Sequence, residues 1–127
     1  MNDYRCILCL GSNTNAEMQM ANAREALLSF FPDIRFSTLQ ETEAIGSTFH
    51  SPFLNQIAVF HTHLSAPVIR EMLKEIEKRA GRQAQDKAQG IVTIDIDLIK
   101  HGKRILKKDD YQRDFVQQGI SELSESD

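Results

Sequence analysis

The segment Thr93–Ile99 constrains the fold of this 127-residue chain more than any other. It reads Thr-Ile-Asp-Ile-Asp-Leu-Ile, an alternation with period two that predicts a β-strand. Ile94, Ile96 and Leu98 then face one side, and Asp95 and Asp97 the other. The two carboxylates stand about 6.5 to 7 Å apart on one face. Asp is depleted in strands, and like charges on one face repel and raise each other's pKa. A hard divalent cation resolves that conflict: Mg²⁺ takes oxygen ligands and is held by one or two carboxylates together with substrate phosphates. A half-buried strand with a solvated outer face is the simpler alternative.

The length suits a single domain, and a hydrophobic fraction of 41% is enough for a core. A net charge of −3 does not point to a nucleic-acid binder. No apolar run approaches the length of a membrane span, and Met1–Arg5 lacks the pattern of a signal peptide. Cys6 and Cys9 form a C-x-x-C inside the apolar run Cys6–Leu10. On a strand, a spacing of three puts the thiols on opposite faces. Reduced core cysteines are therefore expected rather than redox or zinc chemistry, in keeping with a cytoplasmic protein. His61 and His63 share a strand face, but no third metal ligand is in view.

Along the chain, residues 4–10 predict a strand, 11–15 a loop, and 16–30 a helix that stops before Pro32. Residues 34–41 suggest a second strand, and Glu43–Pro52 a loop. Residues 53–62 predict a third strand. Ala66-Pro67 opens a helix with apolar positions Val68, Ile69, Met72, Leu73 and Ile76, and Gly81 is its stop. Residues 82–90 have no apolar periodicity and predict an exposed, mobile loop. The Asp strand at 92–99, a turn at 100–103 and a short return strand at 104–106 follow. Residues 1–116 make one domain, and 117–127 are expected to form a polar, disordered tail. The order β-α-β-β-α-β predicts an α+β fold, a ferredoxin-like antiparallel sheet with both helices on one face.

Leu10-Gly11-Ser12-Asn13 at the end of a strand, Phe53-Leu54-Asn55, Gly81-Arg82 and Thr93-Ile94-Asp95-Ile96-Asp97 occur in this order. Together they resemble the 6-hydroxymethyl-7,8-dihydropterin pyrophosphokinase family of folate biosynthesis. The match covers roughly residues 4 to 105 and resumes weakly at Tyr111–Val116. The resemblance implies an enzyme that moves the β,γ-pyrophosphoryl group of ATP to the pterin hydroxymethyl oxygen, releasing AMP. It implies two Mg²⁺ ions held by Asp95 and Asp97. It places the pterin between Phe53 and Phe115, with Thr42, Asn55 and the backbone near Ile45 binding its ring edge. On the ATP side it implies Glu77, Arg82, Leu98 and Arg113, with Arg82 and Arg113 also counted as catalytic.

The chain departs from the family's pattern in several places. Where the family carries Trp-Gly-Pro-Arg-Thr, this chain reads Gln89-Gly90-Ile91-Val92-Thr93. A second basic position, two after Arg82, is Ala84. A Pro-His pair is absent, the segment before Arg113 is shorter, and Gln117–Asp127 replaces a further C-terminal portion. Losing an arginine from a phosphoryl clamp removes charge and bidentate donors together. Lys87, Lys100, Lys103, Arg104, Lys107 and Lys108 offer nearby charge. A non-catalytic relative that keeps a pterin and nucleotide pocket is the alternative. A metal-dependent phosphotransferase with another acceptor, or an interaction module with no small-molecule site, stands behind it.

Overall fold

A computed structural model describes residues 3–43, 52–83 and 85–124 of the chain. The expectations at Ile45 and Ala84 lie outside the described residues. The elements run β1 (Tyr4–Ser12), α1 (Ala16–Phe30), β2 (Arg35–Phe36), β3 (Gln40–Thr42), β4 (Phe53–Thr62) and α2 (Ala66–Arg79). After a single 3₁₀ turn at Lys87–Gln89 come β5 (Asp95–His101), β6 (Arg104–Ile105), α3 (Lys108–Tyr111) and α4 (Asp114–Glu122).

The strands form one antiparallel sheet in the order β2-β4-β1-β5-β6, with β3 also paired to β4. The expected strand over 34–41 is interrupted, because Ser37 takes over the ladder locally. Its amide donates to Ile57 O at 2.8 Å, and its hydroxyl accepts the Ile57 amide at 2.9 Å. Counting β2 and β3 as one strand gives the ferredoxin-like order. Central β1 pairs with β4 on one edge and β5 on the other. This α+β arrangement is the one that the element order predicts. None of the described helices is long and apolar enough to cross a membrane.

Side-chain alternation along β1 separates two cores. Cys6, Leu8 and Leu10 face α1 and α2 and meet Met20, Leu27, Phe60, Ile69 and Leu73. Phe31 stacks on Phe60 there, with ring centroids 4.0 Å apart. Pro67 in the first turn of α2 needs no amide partner, and Gly81 at φ 93° ends the segment in the left-handed region. Val68, assigned to the apolar stripe of α2, is instead 46% exposed. It precedes Ile69, Leu73 and Ile76, which are the positions α2 buries.

The opposite face carries Ile7, Ile57, Val59 and Ile99, covered by Val116 and Leu123. Here the chain departs from the expected polar, disordered tail: residues 117–122 belong to α4. Val116, Gly119 and Leu123 recur on one face of the helix and are buried. A stripe of three residues among polar neighbours is a weak periodic signal, and it becomes visible only against the sheet. Arg35 donates to Leu123 O at 2.9 Å, and the Thr38 amide donates to Glu122 Oε2 at 2.8 Å, fixing the C-terminal end of α4.

The Gly11-Ser12-Asn13 run closes β1 onto the segment before β5. The Asn13 side chain donates to Gly90 O at 2.9 Å and accepts the Val92 amide at 2.7 Å. Its own amide donates to Val92 O at 3.0 Å. The 82–90 segment has no apolar face but is organised around Asp86, whose Oδ2 accepts the Gln83 amide at 2.9 Å. The Asp strand begins at Asp95 rather than 92, because Val92 pairs with Asn13 rather than with a ladder partner.

Two predictions follow from the packing. A Cβ on Gly119 would stand 2.6 Å from Ile57 Cβ. Helix propensity alone makes Gly119→Ala stabilising by about 1 kcal/mol, whereas the clash makes it destabilising by about 1 to 3 kcal/mol. The clash should win, giving a lower urea midpoint at unchanged m-value. Cys6 and Cys9 are free thiols, Cys6 facing the α1/α2 core and Cys9 the other side of the sheet. Burial, with a small contribution from Asp33, pushes Cys6 from 9.0 up to about 11 against the Gly102 backbone hydrogen bond. The unfolded thiol ionises first, so this contribution is intact below pH 9 and is lost as pH rises through 11. The stability gap between the unaltered chain and Cys6→Ala should therefore narrow from pH 9 to 10.5 in urea titrations, by up to about 1.4 kcal/mol per pH unit.

Candidate active site

The register of three strands sets the site. Gly11 pairs with Asn55 on β4 and with Asp95 on β5. Cys9, one step along the same face, pairs with Ile57 and Asp97. Asn55, Gly11 and Asp95 thus form one row across the sheet, on the face that α1 and α2 do not cover. A Cβ on Gly11 would lie 3.0 Å from Asn55 Oδ1. Glycine keeps the floor of the row low.

Over that floor opens a cleft of about 230 Å³. Thr42, Phe53 and Asn55 line one wall, Asp95 and Asp97 the other, and Arg113 and Phe115 close it from the start of α4. Asn55 Nδ2 donates to Thr42 Oγ1 at 2.6 Å, so the two polar groups are held as a pair. The Arg113 guanidinium lies 4.6 Å from the centroid of the Phe115 ring and 3.9 Å from Asp110 Oδ1. Val92 is 3% exposed and forms part of the wall.

A second cleft, of about 510 Å³, lies between α2 and β5. It contains Glu77, Arg82 and Leu98, and shares Asp95, Asp97 and Asp110 with the first. The two clefts therefore meet at an acidic wall. Arg82 Nη1 stands 2.9 Å from Asp95 Oδ1 and 2.9 Å from Glu77 Oε2, and donates to Ile94 O at 3.3 Å. Burial pulls this guanidinium's pKa down, but Asp95 and Glu77 outweigh it and hold the pKa above its ordinary value. Glu77 also accepts the Ile96 amide at 2.7 Å, on the edge of β5 where, among the described residues, no strand pairs with it. Burial raises the Glu77 carboxyl above the usual carboxylate range, helped by Asp95 and Asp97 and opposed by the Ile96 amide and Arg82. Lys107 Nζ lies 3.9 Å from Asp97 Oδ1. Burial first, then Asp97, Asp110 and Asp95, push Cys9 up to about 12 against Arg113, so it is a protonated thiol on the floor.

The structure brings together Thr42, Phe53, Asn55, Asp95, Asp97, Arg113 and Phe115 in one cleft, and Glu77, Arg82 and Leu98 in the other. Leu98 lines the second cleft but is only 2% exposed. Sequence reading missed Gly11, Cys9 and Asp110 at the first cleft and Arg70 and Lys74 at the second. For the last two, a signal existed: with Glu77 they recur at i, i+4 and i+7 on α2. No group of three or more His, Cys, Asp or Glu side chains that could hold a metal occurs among the described residues. Two carboxylates facing two clefts are still a donor set suited to Mg²⁺, which completes its shell with water and phosphate oxygens.

The chain is 32% identical over 107 residues to a folate synthesis bifunctional protein of Arabidopsis thaliana, covering 81% of this chain. It spans 22% of that relative's length. Among solved structures, the C-terminal domain of the MgtC protein from Mycobacterium tuberculosis superposes with a TM-score of 0.43 at 10% identity, over 75% of this chain and 86% of that one. A de novo designed protein with a ferredoxin fold gives 0.33 at 10% identity, over 79% and 87%. The sequence profile of one family matches residues 7–125. The chain belongs to that family, the 7,8-dihydro-6-hydroxymethylpterin pyrophosphokinases.

Proposed function

We propose that this chain transfers the β,γ-pyrophosphoryl group of ATP to the hydroxymethyl oxygen of 6-hydroxymethyl-7,8-dihydropterin. The observation that carries the reading is the shared wall of Asp95 and Asp97 between two clefts of different chemistry. One is a small slot with two phenylalanines and a fixed Thr42–Asn55 pair. Stacking faces and a few fixed polar groups suit a flat heterocycle with a donor–acceptor edge. The other is larger, more polar and carries several cations, as a nucleotide requires.

In this reading Phe53 and Phe115 stack on the pterin, and Asn55 and Thr42 bind its ring edge. The purine lies against β5 at Leu98, in the second cleft. Asp95 and Asp97 would hold magnesium, which would supply neutralisation of the polyphosphate charge when bound. Arg82, already holding Asp95 and Glu77 at 2.9 Å, orients the carboxylate before substrate arrives. Arg113 lines the first cleft beside Asp110, which both clefts share, and from there meets the β,γ-phosphates. The bond formed joins the hydroxymethyl oxygen to the β-phosphorus. The bond broken releases AMP, and the hydroxyl proton goes to solvent. Among the described residues, no side chain is placed as a general base.

A second reading has one observation in its favour. Val92 forms the wall where the family's run has an arginine, and its amide is tied to Asn13 at 2.7 Å. The site thus offers less charge to the transferring group, as a non-catalytic binding relative would. The two readings separate in an assay of AMP release from Mg-ATP. The pyrophosphokinase reading expects release that needs the pterin and disappears in Asp95→Ala/Asp97→Ala. Binding of both ligands without AMP selects the non-catalytic relative. Gly11→Val should raise the pterin Kd by at least about tenfold by filling the floor, and leave the Mg-ATP Kd within about twofold.

A further inference from the structure

We propose that the groove between α1 and α2 binds a small aromatic carboxylate, with the guanidinium of Arg79 taking the carboxylate. The groove has a volume of about 360 Å³ and lies on the helix side of the sheet. It shares no residue with the two clefts at the acidic wall. The site therefore goes beyond the pyrophosphokinase reading and does not depend on it.

Small residues on the facing flanks of the two helices create the groove. Helices side by side on a sheet pack with axes about 8 to 10 Å apart when their side chains interdigitate. Here α1 contributes Ala23 and Ala26, and Ala80 follows the end of α2. None of these methyl groups fills the space between the helices. The groove is therefore floored by Ile94 and Ile76, which are 0% and 6% exposed. Phe30 borders it, and its ring is set edge-on to core Phe31 with centroids 6.2 Å apart. An apolar floor beside an aromatic ring, in a space of this size, suits a ligand of one or two fused rings.

The rim decides the sign of that ligand. Among the described residues, Arg79 is the one cation lining the groove and Glu75 the one anion. Glu75 Oε1 is engaged with Arg79 Nε at 3.3 Å. That contact orients the guanidinium and uses only its inner nitrogen. Among the described residues, the two terminal nitrogens of Arg79 make no hydrogen bond. They offer two parallel N–H donors, the geometry that a carboxylate meets bidentately. A cationic ligand would find the one acid already paired, and a neutral ring would leave the fork unused. Gln19 and Asn22 line the same groove with neutral amides.

The test titrates the full chain with 2-naphthoate and with its neutral counterpart 2-naphthamide, by isothermal titration calorimetry. The carboxylate should bind with a Kd of about 0.1 mM, and the amide about tenfold more weakly. Arg79→Gln should erase that difference. The Arg79 side chain is 74% exposed, so this variant keeps the fold. Ala26→Met places a good helix former in the groove and should raise both Kd values at least about tenfold at an unchanged denaturation midpoint. Amide chemical shifts on adding 2-naphthoate should move in α1 and in the last turns of α2. Shifts centred on Phe53, Asn55 and Phe115 would put the probe in the first cleft and overturn the proposal. Equal affinity for acid and amide in the unaltered chain, or a difference that survives Arg79→Gln, overturns the role of Arg79. No binding of 2-naphthoate up to about 5 mM removes the site. All of these outcomes leave the pyrophosphokinase reading standing, because AMP release tests that separately.

Discussion

Strand β1 is hydrogen-bonded along both edges, to β4 and to β5, and that double pairing sets the geometry of the site. Strands in a sheet stand about 4.8 Å apart. Asn55, Gly11 and Asp95 in one row therefore set the backbone positions of Asn55 and Asp95 about 10 Å apart. Gly11 contributes by having no side chain, since a Cβ would press on Asn55 Oδ1 at 3.0 Å. The Asn13 bonds to Gly90 and Val92 then fix the entry into β5 from the end of the same strand.

The acidic wall creates an electrostatic problem that the fold solves locally. Glu77, Asp95, Asp97 and Asp110 all line one cleft, and bringing like charges together is unfavourable. Arg82 answers two of them with one nitrogen, 2.9 Å from each. A partly buried ion pair of this kind is weak evidence for stability. Its clearer consequence is that Asp95 is held in one orientation from the α2 side. Glu77 does double duty by accepting the Ile96 amide, a donor that the unpartnered edge of β5 would otherwise leave to water.

The second face of the sheet is divided between a covered core and an open cleft. Ile7, Ile57, Val59 and Ile99 are covered by α4 through Val116 and Leu123. The row at Gly11 lies beyond that cover and stays open. Phe115 and Val116 are neighbours in sequence but point to different tasks, Val116 into the core and Phe115 to the cleft. Close docking at Gly119, where helix and strand touch without an intervening side chain, thus also sets where Phe115 and Arg113 stand.

Much of this was legible in one dimension. Period-two alternation placed the strands, and it put Asp95 and Asp97 on one face, because backbone pleating leaves no other choice. Helical spacing in α2 and the breaks at Pro32 and Gly81 bounded the helices. The element order then left the ferredoxin-like sheet as the economical topology. Motif resemblance named residues that the fold does gather into two clefts.

Other features depended on contacts between distant segments. Ser37 breaking a strand, and Gly119 docking α4 on Ile57, are cross-chain contacts with no local pattern. The pairing of Arg82 with Asp95 joins residues that approach only when α2 lies against β5. Sequence by itself determined which side chains share a face, since that is a property of backbone geometry along one segment. Only the tertiary structure decided which faces meet, because register, helix docking and charge neutralisation are settled between segments far apart in the chain.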